Sequence, residues 1–264
     1  MALQNDEQTA LTGTEQIKDF FQKHSEVAVA FSGGVDSAVL LLLAVRYARR
    51  VKAYYVQSQF QPQFEREDAA RTAALLQAEI EIIPVDILSF DSVVANPDNR
   101  CYYCKKAIFD SITAHAARDG FSVVLDGTNA SDDLGDRPGY RALQELAVLS
   151  PLKLCGYTKA QIRRLAAQHR LPVADKPSYA CLATRIPTGT AIRAEILQTT
   201  EAAENALRAM GFRNFRVRYC DGDAKLELCA SDFARLPSMR EQICAALKND
   251  YRHIYLDLKE KTDE

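Results

Sequence analysis

Residues Glu26–Ser37 read EVAVAFSGGVDS, and this dozen decides the fold. The first six are short, apolar and rich in valine, as expected of a buried strand. Ser32-Gly33-Gly34-Val35-Asp36-Ser37 then turns the chain. The glycines let the backbone present successive N–H groups as a concave nest. An apolar helical pattern follows to about Arg49, so the loop also sits at a helix N-terminus, whose dipole favours an anion. Ser32 and Ser37 add hydroxyl donors. The loop lacks the lysine of G-x-x-x-x-G-K-[ST] and does not match G-x-G-x-x-G. A glycine turn merely joining strand to helix is the plainer reading.

Outward from this stretch, strands and helices alternate. Val51–Val56 is a second strand and Phe64–Ala78 has helical spacing. Glu79–Ile87 contains a third strand, Tyr103–Ala117 is helical, and Ser122–Asp126 is a fourth strand. Thr158 caps a helix to about His169. Such alternation predicts a doubly wound α/β domain with a parallel sheet, its ligand beyond the carboxyl ends of the strands. Asp175–Gly189 is rich in Pro, Ser, Thr and Gly and reads as a linker. Beyond it come a helix over Ala191–Met210, a hairpin of Phe215–Tyr219 and Ala224–Leu228 turning at Asp221-Gly222, a helical stretch Ser231–Leu247 broken near Pro237, and a strand His253–Leu256. We divide the chain into a nucleotide domain over 1–180 and a small α+β domain over 181–264.

The 264 residues are 47% hydrophobic and 26% charged, with net charge −2. No basic excess marks a nucleic-acid binder, and no apolar run is long enough to span a bilayer. Met1–Gln16 lacks the layout of a signal peptide, so the expectation is cytoplasmic. The seven cysteines, an odd number, argue against a disulfide framework.

Four stretches carry a resemblance. The hexapeptide Ser32–Ser37 is the signature of ATP-pyrophosphatases of the PP-loop type. Asp126-Gly127-Thr128-Asn129 follows the fourth strand, near an acidic run with Asp132, Asp133 and Asp136. Cys101-Tyr102-Tyr103-Cys104 and Pro177–Pro187 (PSYACLATRIP) complete the set. Together they resemble the LarE family, which inserts sulfur during synthesis of the nickel-pincer nucleotide cofactor. The likeness runs from about Glu15 to Leu258.

The resemblance implies cleavage of ATP between its α and β phosphates and adenylylation of a carboxylate of pyridinium-3,5-biscarboxylate mononucleotide. It implies that Ser32, Gly33, Gly34, Asp36, Ser37, Ser58 and Gly127 hold the nucleotide, with Asp36 positioning Mg2+. Cys181 then attacks the acyl-adenylate as thiolate, given positive charge nearby such as Arg185 or Lys176. In the sacrificial route its sulfur leaves with the substrate and dehydroalanine stays behind. Alternatively Cys101, Cys104 and Cys181 bind three irons of a [4Fe–4S] cluster whose fourth iron carries a hydrosulfide. A zinc site, or no contact among the three, competes with that reading. Arg216 and Arg218 alternate on one strand face, a fork for phosphate. The family assigns them to the substrate's phosphate along with Thr184 and Arg185, and places Glu204 and Glu227 near a divalent ion. A homo-oligomer and a sulfur-donor protein are expected by the same analogy. The rivals are a tRNA thiolase, an amide-forming synthetase and a non-catalytic nucleotide-binding module.

Overall fold

A computed structural model describes residues 14–132, 138–177 and 179–261. By contact it divides into two compact units. The first comprises Met1–Ser58, Gln63–Val85 and Asn99–Lys176. The second comprises Gln59–Pro62, Asp86–Asp98 and Pro177–Glu264.

The first unit is built on four parallel strands in the order β3-β2-β1-β4. They are β1 (Glu26–Ala30), β2 (Arg50–Gln57), β3 (Ile80–Pro84) and β4 (Val124–Leu125). The alternation of β1 sends its side chains to opposite faces. Val27 and Val29 join one apolar cluster, which includes Leu40 and Leu41 of helix α2 (Val35–Tyr47) and Ile17 and Phe21 of helix α1 (residues 14–23). Ala28 joins another on the opposite face, with Phe109 and Ile112. Helices therefore cover both faces, as the alternating pattern predicts. The further helices of this unit are α3 (Gln63–Leu75), α5 (Arg100–Arg118), α6 (Pro138–Glu145), α7 (Pro151–Leu154) and α8 (Lys159–Gln168), while the short α4 (Asp91–Val94) belongs to the second unit. The capping box forms: Thr158 accepts from the backbone of Gln161, and the Gln161 side chain returns the bond. Helices α4, α6 and α7 escape the sequence reading, being too short to show a period.

The second unit packs α9 (Ala194–Ala209), α10 (Ala230–Phe233) and α11 (Leu236–Leu247) with a three-stranded sheet. Its strands β5 (Phe215–Cys220), β6 (Asp223–Leu228) and β7 (Ile254–Leu256) lie in that order, β5–β6 antiparallel and β6–β7 parallel. Asp221 and Gly222 both have positive φ, 47° and 87°, the mark of a tight hairpin turn. The helical break expected near Pro237 falls earlier, between α10 and α11. Pro237 instead occupies the first turn of α11, where its missing N–H costs nothing.

Candidate functional site

Two loops meet at the carboxyl edge of the first unit's sheet. One is Ser32–Gly34 after β1; the other is Asp126–Asn129 after β4. Because β1 pairs with β2 on one side and β4 on the other, this edge is the topological switch point. Gly33 has φ +77°, and a Cβ there would lie 2.9 Å from Cβ of Ala69 in α3. A Cβ at Gly127 would come within 2.9 Å of the Ser37 backbone nitrogen. Both positions therefore require glycine. Gly34 does not: its Cβ would make only an ordinary contact, 3.5 Å from Ser32 Oγ.

The loop is laced by its own hydroxyls. Ser37 Oγ donates to the Gly34 carbonyl at 3.1 Å and accepts from the Ser32 N–H at 3.2 Å. Gly34 is the N-cap of α2 and no side chain caps the helix, so its first-turn N–H groups point at the edge as an anion site. Asn129 Nδ2 donates to Asp36 Oδ1 at 3.3 Å, and the Lys159 ammonium pairs with Asp36 Oδ2. Lys159 was invisible in the sequence, because a lysine opening a capped helix is commonplace and only the tertiary fold brings it to Asp36. Ser58, buried, follows the end of β2. Asp126 is buried beneath the loop, accepting from the hydroxyls of Thr128 and Ser150. Asp132 accepts from the Asn129 N–H at 2.8 Å. Asp133 and Asp136 of the acidic run lie outside the described residues, as does Ser178.

Cys101 and Cys104 occupy the first turns of α5, Cys101 exposed and Cys104 half-buried. Arg100 Nη2 lies 3.8 Å from Cys101 Sγ. Among the described residues no three His, Cys, Asp or Glu side chains gather as a metal site. The first unit by itself offers two thiols at this point. For a hard divalent ion the donor chemistry fits: Asp36 presents a carboxylate beside the anion nest.

In the second unit, half-buried Cys181 is the N-cap of a 3-10 turn, Leu182–Arg185. Its carbonyl accepts from the Thr184 N–H at 3.0 Å and from Thr184 Oγ1 at 2.8 Å. Leu182 N–H donates to Phe60 O at 3.0 Å. Asn96, buried, donates from Nδ2 to the carbonyls of Ile186, Pro187 and Thr190.

Arg185, Glu204 and Lys176 are each engaged in ion pairs. Arg185 and Glu204 are each 1% exposed and paired with each other, Nε to Oε1 at 2.8 Å. Burial works against the charge of Arg185, but the Glu204 carboxylate, then Tyr179 and Cys181, push its pKa above the ordinary value. Glu204 also accepts from Tyr179 OH at 2.6 Å and the Val217 N–H at 3.1 Å. Burial, then the Glu204 carboxylate, push the Tyr179 hydroxyl far up, so it stays a donor. Lys176, of the first unit, bridges Glu65 and Asp68 of α3, each at 2.8 Å.

Strand β5 keeps the expected alternation, with Phe215 and Val217 in the core and Arg216 and Arg218 on the other face. Arg218 donates from Nε to Glu227 Oε1 at 2.6 Å and from Nη1 to the Thr184 carbonyl at 2.6 Å. Burial would raise the Glu227 carboxyl, but Arg218, with Lys225 beside it, holds it below the usual range. Thr184, Arg185, Arg218 and Glu227 are thus joined through hydrogen bonds.

A parallel sheet whose first loop builds an anion nest from backbone, with a carboxylate beside it, defines an ATP-using enzyme of the PP-loop class. Comparison with known proteins agrees. The model of the asparagine synthase family matches residues 14–221. The chain is 31% identical over 235 residues to a pyridinium-3,5-bisthiocarboxylic acid mononucleotide synthase of Lactiplantibacillus plantarum, covering 88% of this chain and 85% of that protein. It is 33% identical over 251 residues to an uncharacterized protein of Synechocystis, covering 93% of each. The chain belongs to the asparagine synthase family and, within it, to the LarE group that includes the Lactiplantibacillus synthase. A tRNA-specific 2-thiouridylase of Thermotoga petrophila is 26% identical and aligns over 57% of this chain and 54% of its own length. The solved NMN synthetase of Francisella tularensis shares the fold, with a TM-score of 0.51 at 18% identity, covering 65% of this chain and 74% of that one. No helix among the described residues is long and apolar enough to cross a membrane.

Proposed function

We propose that this chain is an ATP-dependent sulfurtransferase acting on pyridinium-3,5-biscarboxylate mononucleotide, with Cys181 as the sulfur source. The observation that carries the reading is the setting of Cys181: half-exposed, its own carbonyl fixed, in the unit that also bears Arg216 and Arg218. The Lactiplantibacillus relative supports the substrate class.

A substrate carboxylate oxygen attacks the α-phosphorus of ATP, and pyrophosphate leaves into the nest of Ser32–Ser37. Magnesium, when bound, neutralises phosphate charge, and Asp36 is the residue placed to hold it. The Cys181 thiolate attacks the acyl carbon and AMP departs, forming a thioester. A base removes the Cα proton of Cys181, the Cβ–S bond breaks, and the thiocarboxylate leaves dehydroalanine behind. Arg216 and Arg218 would bind the substrate's phosphate, with Arg218 exchanging part of its contact with Glu227.

The test is to mix protein, Mg-ATP and mononucleotide and follow pyrophosphate, AMP and intact mass. The expected result is stoichiometric release of both and a loss of about 34 Da, one hydrogen sulfide, mapped to Cys181. Undiminished thiocarboxylate formation by Cys181→Ala would overturn the assignment. The competing reading, a hydrosulfide carried on a [4Fe–4S] cluster with Cys101, Cys104 and Cys181 as ligands, draws on the place of Cys101 and Cys104 in the first turns of α5 and on Arg100 beside Cys101. It predicts bound iron, repeated turnover and no loss of mass.

A further inference from the structure

We propose that Arg185, braced by Glu204 and Tyr179, is a positioning residue for Cys181 and not a ligand of the substrate's phosphate. The proposal rests on the reading of Cys181 as the sulfur nucleophile.

A phosphate ligand must offer guanidinium N–H groups to an incoming anion. Those of Arg185 are spent internally. Nε and Nη2 reach the two oxygens of Glu204, at 2.8 and 3.3 Å. Nη1 donates to the Ala180 carbonyl and to Thr184 Oγ1, each at 2.9 Å. The ring of Tyr179 covers the planar face, its centroid 4.6 Å from the guanidinium carbon. With 1% of the residue exposed, an anion could reach it only by displacing these partners.

What those bonds do instead is fix a short backbone arc. Arg185 holds the carbonyl immediately before Cys181. Thr184, held by the same Nη1, takes the carbonyl of Cys181 itself. Both carbonyls flanking the Cys181 Cα–Cβ bond are therefore set by one guanidinium. Glu204 anchors that guanidinium to α9 and, through the Val217 N–H, to β5, the strand that carries Arg216 and Arg218. Tyr179 closes the arrangement from the other end of the arc through its hydroxyl on Glu204. Thiolate attack on an acyl carbon depends steeply on direction and distance, and a misplacement of about 1 Å costs on the order of a hundredfold. Arg185 thus acts on sulfur transfer without touching substrate.

The test separates the rate of sulfur transfer from substrate binding. In single turnover, Tyr179→Phe, which keeps the ring and removes one bond to Glu204, should slow thiocarboxylate formation about tenfold. Arg185→Lys should slow it by on the order of a hundredfold, because an ammonium keeps the charge but cannot span Glu204, Ala180 and Thr184 together. Pyrophosphate release and KM for the mononucleotide should stay at wild-type values. A raised KM with normal transfer at saturation would make Arg185 a phosphate ligand after all and overturn the proposal; so would normal values of both in Arg185→Lys and Tyr179→Phe.

Alkylation of Cys181 by iodoacetamide, mapped by mass spectrometry on folded protein without substrate, gives a readout independent of activity. Its rate should change severalfold in Tyr179→Phe while that of exposed Cys244 stays constant. An unchanged Cys181 rate would count against positioning even if Arg185→Lys failed to fold. Failure of the wild type to transfer sulfur from Cys181 would instead strike the underlying functional reading.

Discussion

The glycine loop after β1 and the Cys181 arc are built on opposite plans. The loop is backbone, short hydroxyls and empty space, and it works because atoms are missing at Gly33 and Gly127. The arc is made of long charged side chains buried around a single polar hub. A backbone cradle is broken by adding a methyl group, whereas a buried ionic brace is broken by taking a partner away. The same contrast governs how each tolerates change. The loop can accept new neighbours at its rim, while the arc must keep every member or lose the fit of the rest.

The sharpest way to break the comparison is Gly127→Ala. The added carbon meets backbone at Ser37, which cannot step aside as a side chain can. ATP-dependent pyrophosphate release should fall by at least about a hundredfold with the far-ultraviolet spectrum unchanged. Gly34→Ala, by contrast, should retain most activity, since its Cβ meets only Ser32 Oγ at 3.5 Å. Equal loss in both would mean that the loop is not held as described.

Removal is the corresponding test of the arc. Glu204→Ala leaves Arg185 charged, buried and without its carboxylate. Breaking such a pair costs about 3–5 kcal/mol, read by chemical denaturation as a fall in the stability of the second unit. A cost below about 1 kcal/mol, as for exposed pairs, would show that the arc is not a buried brace.

A smaller effect is expected at the strand face. Arg216→Ala with Arg218→Ala should weaken mononucleotide binding by about 1.5–3 kcal/mol per lost charged contact and leave ATP affinity unchanged in calorimetry.

The least effect is expected far from both sites. The Asp119 carboxyl accepts from Lys52, from Tyr54 OH at 2.7 Å and from Arg118 at 3.2 Å. Lys52 first, then Tyr54 and Arg118, hold it well below the usual carboxylate range. A depressed carboxyl stabilises the fold above its unfolded value, and that contribution is lost as pH falls through the folded value. Asp119→Asn should therefore lower the melting temperature at neutral pH, with the two proteins converging in strong acid and pyrophosphate release unaffected. Parallel stability curves across that pH range would contradict the assignment.

What the sequence made legible follows the same division. A strand, two glycines and a helix announce the turn between β1 and α2 because its parts are neighbours in the chain. Thr158 with Gln161 and Asp221 with Gly222 are equally local, and each forms as the pattern predicts. The burial of Arg185 was illegible, since its partner lies 19 residues away on another helix. Only the folded chain separates Arg218, which reaches the strand face, from Arg185, which does not. Lys159 beside Asp36 spans 123 residues and leaves no trace in spacing. The sequence reading treats the two glycines alike, whereas φ and the approach of Ala69 single out Gly33, and Gly34 needs no special conformation.

The second unit takes Gln59–Pro62 and Asp86–Asp98 from within the bounds of the first. It is therefore no cassette: a clone starting at Pro177 would lack Asn96, which holds the Ile186, Pro187 and Thr190 carbonyls, and Phe60, which receives Leu182. On the ribosome, those early pieces emerge long before the chain they must join. The Cys181 arc, which also needs Glu204 and the Val217 N–H, can reach its final shape only late in synthesis.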